Sequence, residues 1–76
     1  RPLTDPTRNL ARPHISPAES RILHQLTTPK NVPRIAADLH VSVATVRTHI
    51  RSLYVKLSVS TRMDAVERAR EWGLLP

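Results

Sequence analysis

At 76 residues the chain is one small domain, able to withdraw roughly 60% of its unfolded surface from water. Its apolar 39% comes from Leu, Val, Ile and Ala, with no Phe and only Trp72 and Tyr54 as aromatics, which suits a compact helical core and excludes a large enclosed ligand cavity. Twelve basic against six acidic residues leave +6 and a pI near 11.4, a balance that calls for a polyanion (DNA first, then RNA or an anionic membrane surface). Without cysteine, neither disulfides nor thiolate metal sites can brace the fold, which accords with a reducing cytoplasm. No apolar run approaches the ~20 residues that span a bilayer. The chain opens on Arg1 with no signal-peptide pattern, as expected of a segment from a longer protein.

Residues 1–14 hold Pro2, Pro6 and Pro13 with no helical period and read as a flexible linker or tail, leaving 15–76 as the folded domain. Ser16-Pro17-Ala18-Glu19 is a capping box with Pro at the first helical position. A first helix follows to about Thr27 and turns Ile22, Leu23 and Leu26 inward. Thr28-Pro29-Lys30-Asn31 breaks it, and Asn31 caps a second helix that tolerates Pro33 in its opening turn. Ile35, Ala36 and Leu39 form the inner face of that helix, and His40-Val41 makes a tight turn. Ser42 caps a third helix to about Leu57. Val59-Ser60 links to a fourth, capped by Thr61 and closed by Gly73, with Leu74 and Leu75 folding back on the core. No segment alternates as a strand does, so the expected class is all-α: four helices, no sheet.

The third helix carries the most information. At about 100° per residue, Val46, Ile50, Leu53 and Leu57 share one stripe, which must face the bundle. Ala44, Arg47, Thr48, Arg51 and Val55 then face outward. No acidic residue occurs between Val41 and Arg62, so Arg47, Arg51 and Lys56 stand unopposed along this helix. A helix, a tight turn and a cationic helix make a shape that fits a DNA major groove. Arg47 and Arg51 lie four apart along one line, and a guanidinium can donate two hydrogen bonds to O6 and N7 of guanine. Thr48 adds a methyl for thymine or a hydroxyl for phosphate. Two arginines on an exposed helix are more often plain solvated charge. The preceding turn, the missing acids and the basic pI shift the balance toward binding.

Taken together, Ile15-Ser16-Pro17-Ala18-Glu19, Ile35-Ala36-Ala37-Asp38-Leu39, Val41-Ser42-Val43-Ala44-Thr45-Val46-Arg47-Thr48-His49-Ile50, Leu53-Tyr54-Val55-Lys56-Leu57, Arg62-Met63-Asp64-Ala65-Val66 and Gly73-Leu74-Leu75 resemble the C-terminal domain of LuxR-type (GerE-like) transcription regulators. The resemblance spans residues 15–75. It implies a four-helix helix-turn-helix domain that binds double-stranded DNA as a dimer in a bacterial, cytoplasmic regulator, with RNA polymerase a further candidate partner and no cofactor. By that resemblance Arg47, Thr48 and Arg51 match base-contacting positions. Ser42, Thr45, Lys56 and Arg62 match positions that face the DNA backbone. The fourth helix matches the dimerisation helix, with Met63, Val66, Glu67 and Arg70 as candidates. A sensory, receiver or ATP-binding domain would precede the linker. The chain departs from the family pattern at Pro29 and Asn31-x-x-Arg34, where Gly and a Ser-x-x-Glu cap are usual, so Arg34 is an added phosphate candidate. Val55 stands where a basic residue is common.

Other constellations are weaker. His40 and His49 are too far apart, without Cys, to suggest a metal site. His49 flanks the apolar stripe and is expected to be packed and hydrogen-bonded, with His24 and His40 at or near the surface. Asp38 sits four residues from Arg34, the spacing of an exposed ion pair. No nucleophile motif occurs, and Gly73 as the one glycine excludes a phosphate-cradling loop, so no enzyme activity is expected. Trp72 is expected to pack. Two alternatives remain open: a sigma-factor-like promoter-binding domain, against which the fourth helix and the Gly73-Leu74-Leu75 ending argue, and a helical module for an acidic protein partner.

Overall fold

The computed structural model describes residues 13–76; the expected linker lies outside them apart from Pro13 and His14. Four helices follow in order: α1 (Pro17–Leu26), α2 (Val32–Leu39), α3 (Val43–Leu57) and α4 (Arg62–Glu71). No strand occurs among the described residues, so the all-α expectation holds. Each start is set by a side chain that accepts from an orphan amide of the first turn. Ser16 Oγ accepts from Glu19 N at 3.1 Å while Glu19 Oε1 accepts from Ser16 N at 3.0 Å, completing the capping box. Asn31, Ser42 and Thr61 cap α2, α3 and α4 by accepting from the amides of Arg34, Thr45 and Asp64, without the reciprocal bond. Leu26 ends α1 one residue before the expected limit, because the Thr27 and Thr28 hydroxyls donate to the last-turn carbonyls of His24 and Gln25, both at 2.6 Å.

The ends of α2 and α3 share a device. His40 (φ 58°) and Ser58 (φ 56°) adopt the left-handed conformation, and the next amide folds back: Val41 N to Ala36 O and Val59 N to Tyr54 O, each at 3.0 Å. Gly73 (φ 73°) does the same after α4, with Leu74 N on Ala69 O at 2.8 Å. A residue with a Cβ is strained there by about 1–2 kcal/mol, part of which glycine returns through its freer unfolded chain. Glycine at position 40 or 58 should therefore raise the unfolding free energy by about 0.5–1 kcal/mol in urea titrations, without altering the helical circular dichroism.

The core places α3 at the centre, packed against each of the other helices. Val46, Leu53 and Leu57 of α3 meet Ile22, Leu23 and Leu26 of α1, Ile35 and Ala36 of α2, and Ala65 and Ala69 of α4. The two alanines are fully buried on α4, small enough to keep that helix tight against its neighbours. Leu75 folds back into the cluster, and Trp72 packs beside it, half-buried, with the Arg68 guanidinium 5.4 Å from its ring centre. Ile50 and Leu39, expected as inner-face residues, are half-buried at the margin. The arrangement leaves one side of α3 uncovered.

Candidate nucleic-acid interface

Ser42 organises the beginning of the open side of α3. Its Oγ accepts from Thr45 N at 3.0 Å and donates to Thr45 Oγ1 at 2.9 Å, so the Thr45 hydroxyl proton is left to donate outward. Beyond it Ala44, Arg47, Thr48, Arg51 and Val55 are exposed, Val55 to 74%. Val46 at the opposite pole is fully buried, so the apolar stripe faces inward as the helical period requires. Thr48 Oγ1 donates to the Ala44 carbonyl at 3.0 Å, so its methyl and lone pairs are what it can present. Neither Arg47 nor Arg51 has an ion-pair or hydrogen-bond partner among the described residues. Two desolvation-ready guanidiniums one helical turn apart can therefore meet base edges without first breaking an internal bond.

Two residues expected in the backbone-facing set, Lys56 and Arg62, have partners inside the bundle. Lys56 turns toward α1: its Nζ donates to Glu19 Oε1 at 2.7 Å and to the His14 carbonyl at 2.9 Å. Arg62 turns toward the end of α1, where Nε donates to Leu26 O at 3.0 Å and Nη2 to the carbonyls of Gln25 and Thr28. A cation at the negative end of a helix is held there by both the dipole and hydrogen bonds to the terminal carbonyls. Both side chains brace the bundle. Arg34 keeps most of its surface in solvent while its Nε bonds Asp38 Oδ1 at 3.1 Å, the pair expected from the spacing. Lys30, which the spacing did not single out, joins from the other side with Nζ 2.7 Å from Asp38 Oδ2. The hydrogen bond from Lys30, more than that from Arg34, holds the Asp38 carboxyl below its ordinary range despite some desolvation.

Glu19 has a role that the capping box alone did not reveal. It is 4% exposed, and besides Ser16 N its carboxylate accepts from Ser52 Oγ at 2.7 Å and from Lys56 Nζ. Burial pushes its pKa up. The hydrogen bonds from Lys56, Ser16 and Ser52 and the Lys56 charge outweigh that and bring it to about 2. Its partners on α3 lie 33 and 37 positions away, beyond anything a local motif can signal.

His49 is half-buried beside α1 but makes no hydrogen bond among the described residues, so only the packing part of its expectation is met. His24 is exposed with Nδ1 2.8 Å from Ser20 O, and His40 is exposed in its turn. No group of three potential metal ligands occurs among the described residues, and none of their helices is long and apolar enough to cross a membrane. On α4, Met63 (73% exposed), Val66 and Arg70 line a shallow groove of about 410 Å³ with Leu26, Thr27 and Arg62. Glu67 instead faces a separate cleft with Asp64 and Glu71.

Comparison with known proteins bears directly on this geometry. The sequence profile of "Bacterial regulatory proteins, luxR family" matches residues 13–69. A probable transcriptional regulatory protein NarL of Mycobacterium tuberculosis (strain ATCC 25618 / H37Rv) is 41% identical over 63 residues, covering 83% of this chain and 29% of that protein. The HTH-type transcriptional regulator MalT of Klebsiella pneumoniae (strain 342) is 50% identical over 38 residues, half of this chain and 4% of that protein. The crystal structure of response regulator ChrA, from a heme-sensing two-component system, superposes with a TM-score of 0.78 at 34% identity over 91% of this chain and 35% of its own. The chain spans under a third of the length of NarL. With the profile covering most of its length and the fold shared, the chain belongs to the luxR family of bacterial regulatory proteins, as a helix-turn-helix domain.

Proposed function

We propose that this chain is the DNA-reading domain of a larger bacterial transcription regulator and recognises double-stranded DNA sequence-specifically through α3. Residues 15–76 form the domain, and 1–14 link it to the part that receives the signal. Arg47, Arg51 and Thr48 meet base edges in the major groove, while Ser42, Thr45 and Arg34 contact phosphates on either side. The reading rests on one observation: the arginines on the open face of α3 have no partner among the described residues, whereas Lys56, Arg62 and Arg68 are committed. Cytoplasm is the compartment in which such a domain meets bacterial DNA.

Selection of bound duplexes from a random pool, followed by titration of the winner and of random duplex at two salt concentrations, tests the proposal. A preferred sequence and affinity that falls steeply with salt are expected. Absence of salt-dependent duplex binding would sink it and leave an acidic protein partner as the alternative.

Two copies are proposed to pair on the DNA through Met63, Val66 and Arg70 of α4, with Glu67 at the edge. The apolar area that α4 offers is small, so the pairing is weak without DNA. Sedimentation should show a monomer for the free chain and a two-to-one complex on the selected duplex, and Met63→Glu should reduce the complex to one-to-one.

A further inference from the structure

A second cationic feature lies outside the helix-turn-helix unit. Of the arginines among the described residues, Arg34, Arg62 and Arg68 are held by carboxylates or carbonyls. Arg21, Arg47, Arg51 and Arg70 have no such partner among those residues. Arg47 and Arg51 belong to the open face of α3, and Arg70 to the α4 groove. Arg21 is on α1, exposed, and belongs to neither. It lines a groove of about 390 Å³ with Ala18 and Ile22 of α1, Asp38, Leu39 and Val41 around the turn, and Thr45 and His49 of α3.

The polar groups around this groove are matched to an anion. Thr45 Oγ1 takes its internal hydrogen bond as acceptor and keeps its proton to donate. The His49 ring has no protein hydrogen-bond partner among the described residues and offers an N–H beside it. Asp38 is the one acid lining it among the described residues, and Lys30 and Arg34 both bind it, which leaves the Arg21 charge unbalanced there. On α3, Thr45 and His49 lie along the flank next to the outward face, so the groove adjoins the surface proposed to enter the major groove. One phosphate group on the strand bordering that flank, seated at the Arg21, Thr45 and His49 end of the groove, is the occupant of matching charge and position.

We infer that Arg21, with Thr45 and His49, forms a phosphate clamp of α1 that grips the DNA backbone beside the recognition helix. The inference rests on the proposed DNA reading and adds to it a contact from a helix that is not part of the helix-turn-helix. Such a clamp fixes register and adds affinity without reading sequence.

The test is salt-dependent titration of the 76-residue chain against its selected duplex and a random-sequence duplex, for native protein, Arg21→Ala and Arg21→Lys. Arg21→Ala should reduce the slope of log affinity against log salt by about 0.9 and weaken both duplexes alike, by about three- to tenfold at 0.1 M salt. Arg21→Lys should restore most of the slope, and unchanged circular dichroism would show that the fold is intact. An unaltered slope in Arg21→Ala, or a loss confined to the selected duplex, overturns the clamp while native binding stands. If the native chain binds no duplex at all, the DNA reading fails and the clamp with it.

Discussion

Arg47→Ala is expected to weaken binding to the preferred duplex by about 1–3 kcal/mol while affinity for random duplex changes far less. The asymmetry follows from where the guanidinium stands. It is exposed on α3, one turn from the Ser42 cap, with no partner to lose among the described residues, so removing it leaves the fold intact. What disappears is a bidentate donor to one base edge, and discrimination at one base pair of the site should relax with it. Arg51→Ala should act in the same way at a neighbouring position, one helical turn along. Repeating the selection with each variant measures both effects. If Arg47→Ala retained full discrimination at every position, its role as a base reader would be abandoned.

The second large effect is on stability and centres on the carboxylate under α3. Glu19→Gln should cost about 2 kcal/mol at pH 7, a figure reduced from the full pKa difference because Lys56 is about one-third exposed. The sign of the pH dependence follows from the lowered pKa. The native carboxylate titrates near 2 and the unfolded one near 4.5. Its contribution is complete above the unfolded value and is lost progressively as pH falls toward 2. The stabilities of native and Glu19→Gln chains should therefore converge between about pH 5 and pH 2, as read by urea unfolding at several pH values. Lys56→Met should likewise lower stability, since it leaves a buried carboxylate without its charged partner. Because the Lys56 ammonium is held between Glu19 and the His14 carbonyl, the same variant should leave the salt slope of DNA binding near its native value. A fall of about one unit in that slope would mean that Lys56 leaves the carboxylate to meet a phosphate in the complex.

These two experiments separate residues that look alike in the sequence. Arg47 and Lys56 are both cations on one helix, nine positions apart, with no acid nearby in the chain. One faces away from the bundle and the other lies on the flank covered by α1. The helical period places Lys56 beside Ser52 and His49, on the margin between the two faces. Whether a long side chain on that margin turns outward or inward depends on what the neighbouring helix offers. Here α1 offers Glu19.

Local chemistry was sufficient for the helix starts and for the outward face of α3. Ser16, Asn31, Ser42 and Thr61 satisfy amides only three residues away, and Val46, Leu53 and Leu57 define their stripe through the helical repeat alone, so neither needs knowledge of distant chain. The employment of the cations was settled only when the helices packed. Arg62 found carbonyls more than thirty residues back, Lys56 found Glu19, and Arg21 found no acid among the described residues, because charges choose partners by distance in space and the packing of α1 against α3 and α4 sets those distances.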